Sequence, residues 1–62
     1  MELTRRIETY LRRSGMTATR FGREAVRDPR FVFDLRGGRQ IGPVVAGRVV
    51  AYLEARERRT RR

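Results

Sequence analysis

An all-α fold of four short helices is what this sequence predicts. Apolar residues recur at three- and four-residue spacing in four separate stretches, the period of a helix with one buried face. Between those stretches stand residue types that suit helix ends: Ser14-Gly15, Thr17, Asp28-Pro29, Gly37-Gly38 and Pro43. The 62 residues make one small domain, and with no cysteine and no histidine neither disulfides nor the common structural zinc sites can staple it. Stability must come from helix packing, helped if need be by a second subunit.

The first helix is predicted over 2–14. Leu3, Ile7, Tyr10 and Leu11 line its buried face, while Glu2 near the start and Arg12-Arg13 near the end complement the macrodipole. Gly15 suits a left-handed C-cap, and Met16 should pack across to the core. Thr17 is the expected N-cap of a second helix over 17–26, with Phe21 and Ala25 inward. A polar break follows at Arg27-Asp28-Pro29. Proline suits the first position of a helix and aspartate caps well, so a third helix is predicted over 29–36, capped by Asp28. Phe31, Val32 and Leu35 fall on its inner face, and Arg30, Phe33, Asp34 and Gly37 on its outer face. Gly37-Gly38 ends it. A loop containing the core anchor Ile41 leads to Pro43 and a last helix over 43–57. Val45, Val49, Tyr52 and Leu53 share one stripe there, with Val44 and Val50 partly off it, either half-buried or facing a second subunit. The predicted core is Leu3, Ile7, Leu11, Phe21, Ala25, Val32, Leu35, Ile41, Val45, Val49 and Leu53. Residues 1–57 form the domain, and 58–62 should be a flexible arginine-rich tail.

Charge narrows the function. All 16 basic residues are arginine, set against 7 acidic ones, for a formal charge of +9. That imbalance fits a nucleic-acid footprint, and arginine's planar fork suits phosphates and guanine edges. No apolar run approaches the ~20 residues that span a bilayer, and no signal peptide is visible, which predicts a cytoplasmic, nucleoid-associated protein without a membrane partner. Nothing supports catalysis: histidine and cysteine are absent, no serine has a base nearby, and no cofactor or metal is implied.

Two helices across a short turn in so basic a chain point to a helix-turn-helix whose second helix enters the major groove. Phe21 to Gly38 resembles, without a gap, the helix-turn-helix of the lambda-repressor and Cro class of DNA-binding proteins. A large apolar and a small residue open the pattern at Phe21 and Gly22. Ala25 follows, then Asp28 as the small cap-like residue, the buried pair Val32 and Leu35, and the closing Gly38. Arg39 to Pro43 resembles that family's next loop. Three positions depart: Val26 stands where the family usually has glycine, Pro29 where it often has a base-reading glutamine, and Arg36 where it often has a buried glutamate. A β-branched residue in place of the glycine requires another turn geometry or strain.

The resemblance implies a compact lambda-repressor-like four-helix bundle acting as a transcription regulator on double-stranded DNA. Its base contacts would come from Arg30, Phe33 and Asp34. Arg30 would bind guanine bidentately, Phe33 would touch a thymine methyl, and Asp34 would accept from cytosine or orient Arg30. A phosphate contact is the alternative for Arg30, and core or dimer packing for Phe33. Phosphate contacts would come from Thr17, Thr19, Arg20, Arg23, Arg36 and Arg39, so that Arg30 carries specificity and Arg39 mainly affinity. A homodimer on a two-fold-related site is expected. The runner-up is a protein-interaction module, an antirepressor or a subunit contacting RNA polymerase or another regulator through the same helices. RNA binding comes third, because one exposed aromatic makes a thin stacking platform.

Overall fold

The computed structural model describes residues 3–60. Among them run four α-helices and no strand: α1 (Leu3–Ser14), α2 (Ala18–Val26), α3 (Phe31–Arg36) and α4 (Pro43–Thr60). α2 packs against both α3 and α4, most closely against α3, and α1 lies against the same two helices.

Helix ends follow local chemistry. Gly15 takes the left-handed conformation at φ 77° and donates its N–H to the Leu11 carbonyl, closing α1. Thr17 is extended, and its hydroxyl accepts the Arg20 N–H at 3.1 Å, one of the donors a helix start leaves orphaned. Glu2, expected at the start of α1, lies outside the described residues.

The start of α3 corrects the sequence expectation. The helix begins at Phe31 rather than Pro29, and Asp28 is not its N-cap. Asp28-Pro29-Arg30 form a turn in which the Asp28 carbonyl accepts the Phe31 N–H at 3.0 Å and the Asp28 carboxylate accepts the Arg30 N–H at 3.0 Å. Proline's fixed φ suits the second position of such a turn as well as it suits a helix start, and aspartate readily bonds the backbone two residues on. Arg30 holds the cap position with no side-chain cap.

At the other end of that connection, Arg27 adopts φ 58° and ψ 35°, so the left-handed residue is Arg27 and not the preceding Val26. Gly22 is needed for a different reason. A Cβ there would stand 2.2 Å from the Asp28 carbonyl oxygen and 3.1 Å from the Phe31 Cβ, so only glycine lets the turn fold back over α2.

Ile7, Tyr10, Leu11, Phe21, Phe31, Val32, Leu35, Val49 and Leu53 are buried together. Relative to the expected core, Phe31 and Tyr10 join, while Leu3, Ala25, Ile41 and Val45 lie only half-buried against it. Phe21 sits between two tyrosines, its ring 6.0 Å from Tyr10 and 5.2 Å edge-on from Tyr52. Geometry of this kind adds about 0.5–1.5 kcal/mol per pair beyond simple burial. Of the two off-stripe valines, Val50 is half-buried and Val44 is 75% exposed. The last helix runs past the expected 57 to Thr60, assisted by an Arg6–Glu57 ion pair that ties α4 to α1. Arg61 and Arg62, the end of the expected tail, lie outside the described residues.

Candidate nucleic-acid interface

The outer face of α3 is built by default: with Phe31, Val32 and Leu35 turned into the core, helical geometry leaves Phe33 and the preceding Arg30 outward. Phe33 is 50% exposed, and the Arg36 guanidinium stands 5.5 Å over its ring. A half-exposed phenylalanine covered by a cation is a flat apolar surface with a charged rim.

Arg36 is not free beside it. Its Nε and one Nη donate to the two carboxylate oxygens of Glu8 at 2.6 and 2.9 Å, a forked pair that ties α3 to α1. The Arg36 hydrogen bond holds the Glu8 carboxyl below its ordinary range.

Arg39 is engaged more deeply. One of its terminal nitrogens donates to Asp28 at 3.2 Å and to Asp34 at 3.1 Å, and its guanidinium lies 5.7 Å over the Phe31 ring. Asp34 therefore faces Arg39 rather than orienting Arg30.

On α2, Arg20 pairs with Glu24 at 2.7 Å, and Glu24 also accepts the Tyr52 hydroxyl at 2.7 Å. Arg20 keeps the Glu24 carboxyl below its ordinary range, with Tyr52 adding to the effect. Partial burial and that carboxylate push the Tyr52 hydroxyl up to about 12. The Thr17 hydroxyl is occupied as a cap, and Thr19 is half-buried.

Among the expected contacts, then, Arg23 and Arg30 carry exposed guanidinium groups with no ion pair to a described residue, whereas Arg20, Arg36 and Arg39 already have carboxylate partners. A single exposed pair such as Arg20–Glu24 holds weakly and exchanges with other anions, whereas Arg39 stands in a network with two carboxylates. Arg27 was missed in the sequence. It is exposed, lacks an ion pair to a described residue, and follows Arg23 by one helical turn. That i, i+4 spacing from Arg23 was the available signal.

Among the described residues no cluster of three His, Cys, Asp or Glu side chains stands where a metal ion could bind, and no helix is long and apolar enough to cross a membrane. No protein-family model, curated protein or solved structure matches the chain.

Proposed function

We propose that this chain is a sequence-specific, double-stranded-DNA-binding regulator in which α2 and α3 act as a helix-turn-helix. One observation carries the reading. The exposed arginines Arg23, Arg27 and Arg30, with no ion pair to a described residue, belong to α2, the turn and the start of α3, while Arg20 holds the α2 carboxylate Glu24 and Arg39 holds both Asp28 and Asp34. The result is a positive rim with an apolar Phe33 beyond it, suited to phosphates at the edge and base edges within the groove.

On this reading Arg30 reads guanine and Phe33 meets a thymine methyl, while Arg23 and Arg27 bind phosphate, joined by the exposed N–H groups at the start of α2 near Thr17 and Thr19. Arg20 and Arg36 reach phosphate only by exchanging their carboxylates. The departure from the family pattern at Arg36 has a local answer, since Glu8 supplies the opposite charge from α1. Two copies on half-sites about 34 Å apart would multiply affinity and specificity, with α4 around the exposed Val44 as the contact between them. Such a protein works on the nucleoid in the cytoplasm.

The test is selection from random duplexes, followed by titration of the selected site against competitor at several salt concentrations. With about five phosphate contacts per subunit, log K should fall against log salt with a slope near −4 to −5. Arg30→Ala should cost about 1–3 kcal/mol on the selected site and relax choice at one base pair. A flat salt response, or no selected site, overturns the proposal. The half-exposed Phe33 and exposed Val44 would then favour the second reading, a module that docks on another protein.

A further inference from the structure

α3 is six residues long and has no side-chain N-cap. A helix so short has no stability of its own, because nucleation fixes several residues before hydrogen bonds offset the cost. Phe31, Val32 and Leu35 anchor its inner face. Core burial alone, however, leaves a one-and-a-half-turn helix free to rock about that line of contact, and its outer residues would rock with it.

Arg39 sits where such rocking would be resisted. It follows α3, yet its guanidinium reaches back to Asp28 before the helix and to Asp34 inside it. Its own N–H donates to the Asp34 carbonyl at 3.0 Å, so backbone and side chain grip the same residue. The guanidinium carbon also stands 5.7 Å over the ring of Phe31, the first residue of α3 and fully buried. The chain of bonds continues to the reading face: the Asp28 oxygen not bonded to Arg39 accepts the Arg30 N–H at 3.0 Å. One cation thus joins the turn, the body and the exit of α3, and through Asp28 it fixes the backbone of Arg30.

We infer that Arg39 is a positioning residue, a brace that sets the attitude of α3 on the DNA, and not a phosphate contact. The inference rests on the DNA-binding reading for its effect on recognition, but the brace itself is testable without DNA. The two roles differ in what they predict. A phosphate contact is sequence-blind and needs only a positive charge, so lysine substitutes tolerably and removal weakens all DNA alike. In the brace a single terminal nitrogen meets both carboxylates while the guanidinium rests near an aromatic ring, and a lysine ammonium ends one bond short of that nitrogen and has no planar group to lay against the ring. Its loss blurs the placement of Arg30 and Phe33, which affects only the sites where that placement counts.

The experiment compares Arg39→Lys and Arg39→Ala with the parent on selected and on random duplex, alongside amide hydrogen exchange of the free proteins. Arg39→Lys should lose about tenfold or more on the selected site while random-duplex affinity changes by less than about twofold, with the salt slope unaltered. In the free protein, α3 amides should exchange faster in Arg39→Lys while α4 amides near Val49 and Leu53 keep their protection. Asp34→Asn removes one of the two carboxylates while keeping the side chain's shape, and should reproduce the same pattern if Arg39→Ala fails to fold. The inference is overturned if Arg39→Lys retains selected-site affinity, or if Arg39→Ala weakens both duplexes equally with a slope about one unit shallower. Unchanged α3 exchange in Arg39→Lys overturns it as well. Should the parent bind no duplex, the exchange comparison still decides whether the brace exists, and the failure belongs to the DNA-binding reading alone.

Discussion

α4 and α3 are held in place by different means. α4 spans 18 residues and buries Val49 and Leu53 completely. It is tied sideways by Tyr52 to Glu24 of α2, by Arg56 to the Tyr10 hydroxyl and by Glu57 to Arg6, and those bonds supplement a buried stripe that spans more than one turn. α3 has a third of that length and depends on what surrounds it: a glycine beneath its entrance, an aspartate turn before it, an arginine brace behind it and a forked pair to α1. The contrast separates two kinds of substitution. Changes along α4 should be read in stability, and changes around α3 in the placement of its outer face, often with little change in melting.

The largest expected effect removes the part of α3 that resembles α4, its core contact. Leu35→Ala should destabilise the domain by about 2–5 kcal/mol, a large share of what a small domain has. Chemical denaturation checks this, and an unchanged midpoint would mean that α3 is held by its braces alone. Gly22→Ala comes next. The added Cβ would meet the Asp28 carbonyl, a backbone atom that can retreat only by moving the turn, so a cost of about 1–3 kcal/mol is expected. Heteronuclear NMR should place the shift changes at 27–31 rather than along α4.

Thr17→Ala, which takes away a cap from the well-supported α2, should cost about 1 kcal/mol in thermal melting and leave the attitude of α3 untouched. Arg27→Gly sharpens the comparison because its two readouts move in opposite directions. Relief of the left-handed backbone should raise stability by about 0.5 kcal/mol, while, on the proposed function, loss of an exposed cation should make the salt dependence of duplex binding about one unit shallower.

The smallest effect is acid sensitivity of the α1–α3 tie. The Glu8 carboxyl is held below its unfolded value, so its contribution is full above the ordinary carboxylate range and fades as pH falls through the lowered folded value. Glu8→Gln should flatten that part of the profile of Tm against pH. At the alkaline end the sign reverses. Tyr52 is raised to about 12, so the neutral hydroxyl's contribution is complete below the unfolded value near 10 and is lost between the two.

The difference between the two helices also explains what could be read in the sequence. Periodicity located α1, α2 and α4 because their buried faces repeat over enough turns: Ile7 and Leu11 on one, Val49 and Leu53 on another. α3 is too short for the pattern to fix its start, and Asp28-Pro29 is as good a turn as it is a capped helix. The outward position of Arg30 and Phe33 survived that error, since moving the start does not change which face Phe31, Val32 and Leu35 bury. The partners of the arginines could not be read from the sequence. Arg36 meets Glu8 from 28 positions away, and Arg39 meets Asp28 from 11, separations at which no local rule chooses a partner. Sixteen similar cations offer no internal hint as to which are spent on the fold and which remain for a ligand.

The aromatic stack around Phe21 has an optical consequence. The chain has no tryptophan and two tyrosines, and both flank that one ring, with hydroxyls bonded to Arg56 and Glu24. Tyrosine emission, excited where phenylalanine does not absorb, therefore comes from α1 and α4, and α3 contributes no tyrosine to it. Tyrosine emission during denaturation follows α1 and α4, while a fluorine label on Phe33 follows the outer face of α3. Two colours of signal from one small domain would show directly whether α3 lets go before the rest.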